Sequence, residues 1–333
     1  MTRSTTIGVL NLFLAIGLFQ TPPARADEPG YDRKEDVVYG RKYGTALTMD
    51  VIAPKTNANG VGLVFMVSGG FFSSHAAIQP AFFKPFVDRG YTVFAVVHGS
   101  QPRFQVPEII DDVNRAVRFI RFHARDYKVD PDRLGVFGAS AGGHLSLMLA
   151  TAGKAGEPSA TDPVDRESSR VQAAACFFPP TDWLNFGEPG LEKLRATDFD
   201  PPFRAAFDYR KLDPTTNLWI AVDDADERRA IARETSPITH VSPDDPPTLI
   251  IHGDADKLVP LQQSESFEKK LREAGVATRL IVKKGAAHGW PGLVDDLDQL
   301  VDWFDQHLAK AETKAKAKAA RVAPADQVET RRG

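Results

Sequence analysis

One stretch constrains the fold of this chain more than any other: Arg133-Leu134-Gly135-Val136-Phe137-Gly138-Ala139-Ser140-Ala141-Gly142-Gly143-His144-Leu145-Ser146-Leu147. Leu134 to Phe137 is a short apolar run and reads as a buried strand. Ala141 to Leu149 is a run of small and apolar residues and reads as a helix. Between them lies Gly138-Ala139-Ser140-Ala141-Gly142, a G-x-S-x-G pattern. A strand that becomes a helix within one residue forces that residue into strained backbone geometry. Glycines two before and two after it remove side chains that would otherwise collide. The Ser140 hydroxyl is then held above the sheet, at the positive N-terminus of the following helix. That is a place where an oxyanion can be built and stabilised. A bare Gly- and Ser-rich turn is the plainer explanation of such a pattern, but the flanking strand and helix favour a nucleophile.

The rest of the chain alternates strands and helices around this stretch. Asp36 to Arg41 and Leu47 to Ala53 read as two strands joined through Gly44. Leu47 to Ile52 alternates apolar and polar residues, which predicts an outer strand with one wet face. Gly62 to Val67 and Tyr91 to Val97 are continuous apolar runs and predict buried strands. The first ends in Ser68-Gly69-Gly70-Phe71-Phe72, a second glycine-rich turn. Ile78 to Arg89 predicts a helix that buries Phe82, Phe83, Phe86 and Val87. Pro107 opens another, where its missing N–H costs nothing. Ile109, Ile110, Val113, Val117, Ile120 and Arg121 follow near helical spacing. Val171 to Phe178 predicts a strand. Thr248 to His252, Leu261 to Ala274, Thr278 to Val282 and Leu293 to Leu308 predict a strand, a helix, a strand and a final helix. The alternation implies a mostly parallel sheet with helices on both faces. Ligands bind such sheets beyond the C-terminal ends of the strands.

Between about 180 and 243 the periodicity is weak, and Pro, Asp and Phe are frequent. This length predicts a cap-like insertion over the sheet rather than a connector, with Ala225 to Arg233 as a short helix. Arg3, the apolar run Ile7 to Phe19 and Ala24-Arg25-Ala26 read as a signal peptide, 1–26, with the mature chain starting at Asp27. The expected core domain spans 27–309. The segment 310–333 is rich in Ala, Lys and Arg and predicts a disordered basic tail. The run 7–19 is too short to span a bilayer, so no stable membrane anchor is expected after cleavage. A net charge of -3 gives no reason to expect a nucleic-acid partner. Cys176 is the only cysteine; it lies in an apolar run and reads as a buried small hydrophobe. No metal or cofactor motif is present.

A serine hydroxyl is a poor nucleophile until a base takes its proton, and that base is usually a histidine held by a carboxylate. Among eight histidines, His288 sits in a small-residue loop, Gly285-Ala286-Ala287-His288-Gly289-Trp290, just after a predicted strand. The carboxylate candidate is Asp256, in His252-Gly253-Asp254-Ala255-Asp256-Lys257-Leu258-Val259-Pro260. Asp254 is its nearest rival and is expected to stabilise the turn. The order Ser140, Asp256, His288 is one that a serine hydrolase on a parallel sheet uses. An oxyanion hole needs two backbone N–H groups. Ala141 is expected to give one, and Gly70 or Phe71 the other. Phe71, Phe72 and Trp290 are candidate pocket walls, although ordinary packing also explains them.

These motifs, with Asp130-Pro131-Asp132-Arg133, the helix Asp111-Asp112-Val113-x-x-Ala116-Val117-Arg118 and Gly142-Gly143-His144-Leu145, resemble the α/β-hydrolase superfamily. The nearest branch is the bacterial carboxylesterases related to acetyl-xylan and feruloyl esterases and to hormone-sensitive lipase. The resemblance covers roughly residues 36 to 308. It implies an exported serine carboxylesterase acting on small acyl or carbohydrate-linked esters. One turn departs from the family pattern: the oxyanion turn is usually H-G-G-G, and here Ser68 replaces the His and Phe71 the third Gly. The His normally braces the loop, and a Phe at the third position must point away from the oxyanion site or narrow the pocket. Two other readings compete. A prolyl-oligopeptidase-type peptidase would grip a substrate amine with acidic residues such as Asp223, Asp224, Asp226 and Glu227. A non-catalytic binding protein on a hydrolase scaffold would leave Ser140 unreactive.

Overall fold

The computed structural model describes residues 30–308. The expected signal peptide and basic tail lie outside the described residues. The chain builds one eight-stranded sheet in the order β1-β2-β4-β3-β5-β6-β9-β10. Its strands are β1 (Tyr31–Lys42), β2 (Thr45–Pro54), β3 (Gly62–Met66), β4 (Thr92–Val97), β5 (Leu134–Ala139), β6 (Ala173–Phe177), β9 (Thr248–Gly253) and β10 (Thr278–Lys283). β1 and β2 pair antiparallel, as do β2 and β4, and every other pairing is parallel. This is the α/β-hydrolase architecture expected from the sequence.

Helices cover both faces. Alternate residues of the central strands point to opposite sides, which is why those strands read as unbroken apolar runs. Val64, Met66, Val96 and Val136 join a cluster with Ile109, Val113, Val117 and Ile120 of α2 (Val106–Phe122) and Leu145 and Leu149 of α3 (Ala141–Ala152). Leu63, Phe65, Val93 and Phe137 face the other way. They meet Phe83, Phe86 and Val87 of α1 (Pro80–Asp88) and Leu300, Val301 and Phe304 of α6 (Leu297–Leu308). A third cluster packs Phe267 and Leu271 of α5 (Gln262–Glu273) on Cys176 and Ile250. Cys176 is fully buried among them.

The strand order places the site. The chain leaves β3 toward β4 on one side and leaves β5 toward β6 on the other. The crevice between β3 and β5 is therefore the switch point where parallel sheets take ligands. Both glycine-rich turns of the sequence emerge there, at the C-terminal ends of β3 and β5.

Two expectations need correction. Leu47 to Ile52 is not an outer strand with a wet face: β1 covers its edge, and Met49, Asp50, Val51 and Ile52 are all buried. The polar residue that mimicked a wet face is Asp50, whose Oδ2 accepts from Arg33 Nε at 2.8 Å and whose Oδ1 lies 3.0 Å from His75 Nδ1. The final helix is also shorter than predicted. Leu293–Asp296 forms a 3-10 turn, and α6 begins at Leu297.

The segment between β6 and β9 contains a helix at the expected place, α4 (Ala225–Glu234). It adds a two-stranded hairpin, β7 (Arg210–Leu212) with β8 (Trp219–Ala221). Its interior is aromatic: Phe199 stacks on Phe207 at 3.7 Å between ring centres, and Trp183 meets Phe207 at 5.1 Å. Gln263 of α5 anchors its start, its Oε1 accepting from the N–H groups of Thr181 and Asp182 at 2.8 Å each.

Candidate active site

Ser140 stands between β5 and α3 with φ 55° and ψ −121°, a conformation that costs energy in any residue with a side chain. Neighbouring backbone holds it there: Ser140 N–H donates to Phe177 O at 3.0 Å, and His144 N–H donates to Ser140 O at 2.9 Å. The flanking glycines are required by contact. A Cβ on Gly138 would lie 2.5 Å from Gly142 O, and one on Gly142 would lie 2.6 Å from Met66 O. As the first residue of α3, Ala141 has an N–H with no intrahelical acceptor.

The loop after β10 brings His288 to Ser140. Its Nε2 lies 2.8 Å from Ser140 Oγ, and its Nδ1 lies 2.7 Å from Asp256 Oδ2. The loop is laced to the one after β9: Ala255 N–H donates to Ala286 O at 2.9 Å, and Gly285 N–H donates to Asp254 Oδ1 at 2.5 Å. Asp254 thus stabilises the turn, and Asp256 faces the imidazole. The other Asp256 oxygen, Oδ1, accepts from the N–H groups of Leu258 and Val259 at 2.9 and 3.0 Å. Burial opposes charge on this carboxyl. Hydrogen bonds from His252 and His288, the His288 ring and the Val259 N–H outweigh it and hold Asp256 well below the usual carboxylate range. A carboxylate so held fixes the His288 tautomer, with the proton on Nδ1 and the lone pair of Nε2 facing Ser140.

His252 is a participant that sequence reasoning passed over. Its Nε2 lies 2.9 Å from Val259 O and 3.3 Å from Asp256 Oδ2, so it must donate there. Its Nδ1, 2.7 Å from Ser264 Oγ, then accepts. It is the last residue but one of β9 and is fully buried. A polar residue closing an apolar run was its only signal.

The second glycine turn sits against the first. Gly69 and Phe72 exchange backbone hydrogen bonds at 3.0 and 2.9 Å. Gly70 and Phe71 occupy its centre with φ 56° and 64°, the left-handed pair of a tight hairpin turn. Their N–H groups take no part in the turn's own hydrogen bonds. The Phe71 ring is buried, 5.5 Å from the His144 ring and 5.6 Å from Phe207 between centres. It therefore points into the core. Phe72 is 42% exposed. Trp290 packs on Phe177 and Phe178 at 5.9 and 5.7 Å, and its Nε1 donates to Asp296 Oδ2 at 2.7 Å. Phe178 in turn lies 4.4 Å from the His288 ring, so Trp290 buttresses the histidine through Phe178.

The turn is braced from outside. Ser68 Oγ lies 2.8 Å from His98 Nε2. Gln101 Nε2 donates to Gly70 O and to Pro202 O of the segment between β6 and β9 at 3.2 Å. Phe203 of that segment covers Gly70, where a Cβ would meet its ring at 2.5 Å. The four acidic residues that a substrate amine would need, Asp223, Asp224, Asp226 and Glu227, have partners of their own. Asp223 pairs with Arg228 at 3.0 Å, Asp226 with Arg229 at 3.1 Å and Glu227 with Lys211 at 2.7 Å. Asp224 caps α4, accepting from Glu227 N–H at 2.8 Å. They form no free grip for a substrate amine.

Comparison with known proteins places this arrangement among relatives. The profile of the BD-FAE family matches residues 49–271. The chain is 28% identical over 254 residues to the probable carboxylic ester hydrolase LipM of Mycobacterium tuberculosis, covering 73% of this chain and 52% of LipM. It is 28% identical over 228 residues to the esterase LipQ of the same organism, covering 68% of this chain and 49% of LipQ. The chain thus spans about half the length of these curated relatives. Among solved structures, a truncated carbohydrate esterase from gut microbiota superposes with a TM-score of 0.69 at 24% identity, over 85% of this chain and 99% of that one. At that identity the likeness speaks for the fold.

Proposed function

This chain belongs to the BD-FAE family, and from that premise we propose that it is an exported serine carboxylesterase acting on small acyl or carbohydrate-linked esters through an acyl-enzyme. The observation that carries the reading is the imidazole of His288, with Ser140 Oγ at 2.8 Å on one nitrogen and Asp256 Oδ2 at 2.7 Å on the other.

Ser140 Oγ attacks the ester carbonyl as its proton passes to His288 Nε2. The imidazolium keeps its Nδ1–H on the ionised Asp256. The carbonyl oxygen becomes an oxyanion held by the N–H of Ala141 and that of Gly70 or Phe71. The intermediate collapses, the C–O bond to the alcohol breaks, and His288 returns the proton to the departing alkoxide. Water then attacks the acyl-Ser140, giving its proton to His288, and the second collapse releases the acid and restores the serine. Phe203 against Gly70 bounds the oxyanion side with a ring, which supports short acyl groups. The paired acidic residues of the capping segment give no support to an aminopeptidase reading. Export, with cleavage after Ala26, is the matching proposal for the N-terminus.

The test is hydrolysis of nitrophenyl acetate, butyrate, octanoate and ferulate by the protein beside Ser140→Ala and Asp256→Asn. Ser140→Ala is expected to lose about 10⁴–10⁶-fold in kcat. Asp256→Asn, which frees the imidazole to take the wrong tautomer, is expected to lose about 10⁴-fold. Acetate and butyrate should be turned over faster than octanoate. Ester turnover that survives Ser140→Ala would sink the reading. Failure of Ser140 to react with a fluorophosphonate, together with no ester turnover, would leave a binding scaffold.

A further inference from the structure

We infer that His98 is the positioning residue of the oxyanion turn, holding it through the Ser68 hydroxyl. The inference rests on the esterase reading for what the turn binds, but not for how the turn is held.

The sequence poses the problem. The resemblance puts a bracing ring at position 68, and here that position is Ser, whose side chain cannot span to a distant partner. The parallel register of β3 and β4 supplies the ring instead. Met66 pairs with Val96, so two residues further on Ser68 comes opposite His98. There His98 Nε2 lies 2.8 Å from Ser68 Oγ, and Nδ1 lies 2.8 Å from Gly99 O. A carbonyl only accepts, so Nδ1 carries the proton and Nε2 offers a lone pair to the Ser68 hydroxyl. One tautomer of a neutral ring satisfies both contacts. Burial pushes His98 down to about 4; the Gly99 carbonyl opposes the shift and the Lys42 charge adds to it. A ring so shifted is neutral at physiological pH, and the Ser68 hydroxyl then donates to Nε2.

The same residue holds the far end of the turn. His98 N–H donates to Ser73 Oγ at 3.2 Å, and the Ser73 hydroxyl donates to Val67 O at 2.5 Å. His98 is itself fixed to α2. The next residue, Gly99, donates its N–H to Asp112 Oδ2 at 2.9 Å, and Lys42 Nζ reaches the same oxygen at 2.7 Å. An unbroken set of contacts thus runs from α2 through Asp112, Gly99 and His98 to Ser68 and Ser73, which flank the N–H groups of Gly70 and Phe71. Of these contacts the ring itself makes those to Ser68 and Gly99 O, while the contact to Ser73 is made by the backbone N–H of residue 98, so substitutions of the ring test the Ser68 end alone.

The experiment compares Ser68→Ala, His98→Leu, the double variant and His98→Gln in the full chain, by amide hydrogen exchange and by nitrophenyl acetate hydrolysis. His98→Leu and Ser68→Ala should each raise exchange of residues 66–73 by about 10-fold while β5 and α3 keep their protection. Each should lower kcat by about 10–100-fold with KM within about 2-fold. The double variant should cost no more than the worse single one, because both remove one interaction. His98→Gln, whose amide oxygen can still accept from Ser68, should stay within about 3-fold of the wild type. A uniform rise in exchange across the chain, additive losses, or a silent Ser68→Ala would overturn the inference. If the wild type turns over no ester, the esterase reading fails, and the exchange data still decide: a rise confined to 66–73 supports positioning by His98, and any other pattern overturns it.

Discussion

The two turns that meet over the sheet reach their geometry by opposite means. The Ser140 elbow is built mostly from what is next to it in the chain, a strand, a helix and two glycines that let backbone atoms approach closely, and it borrows only backbone from elsewhere, Phe177 O and the close approach of Met66 O. The turn from Ser68 to Phe72 has one bond pair of its own and takes the rest from His98, Gln101 and Ser73. A motif made of contiguous residues is readable as a motif. A turn held by side chains brought in by strand register is readable only once the register is known.

The largest effect should come from breaking the elbow. Gly142→Ala puts a Cβ against Met66 O at a distance no real contact allows. It is expected to cost about 1–3 kcal/mol of stability, as overpacking does, and to abolish ester turnover, measured by urea unfolding and nitrophenyl acetate hydrolysis. A variant with normal stability and activity would show that the elbow is softer than its contacts imply.

Acid separates the charge-dependent half of the site from the backbone-dependent half. Asp256 has a depressed folded-state pKa, so its ionised form stabilises the fold above the ordinary carboxylate range, about pH 4. That contribution is lost as pH falls through the depressed value. The stability gap between wild type and Asp256→Asn should therefore be constant from neutrality to about pH 5 and narrow progressively below about pH 4, read from unfolding curves over that range. A gap that widens in acid would reverse the sign of the argument. The smallest effect is expected at the capping segment. Phe203→Ala uncovers Gly70 without touching the bonds that hold it, so acetate turnover should change by about 5-fold or less, while the ratio of octanoate to acetate rates rises.

The parallel core was legible because fully buried strands leave continuous apolar runs. β2 was misread because the charge on Asp50 is neutralised inside the protein by Arg33, and a pattern rule takes any polar residue as a sign of solvent. Most of the capping segment was illegible for a different reason. Trp183, Phe199 and Phe207 pack on one another from irregular chain and 3-10 turns, which impose no period on the sequence. At the site, Ser140, Asp256 and His288 announced themselves by their loops, and the structure brings the three together. His98 and His252 did not, because each lies within one residue of the end of a buried strand and gains its partners across the sheet or across a turn.

Gln101 joins the turn after β3 to the segment between β6 and β9. Its side chain spans the carbonyl of Gly70 and that of Pro202, so one amide is shared between the turn after β3 and the segment after β6. Exchanging the segment after β6 for another removes one of the two acceptors and leaves the amide free to rotate. The segment after β6 is therefore not a module that can be swapped on its own. A transplanted cap has to bring a carbonyl to the place where Pro202 now presents one, or the turn beneath it loosens.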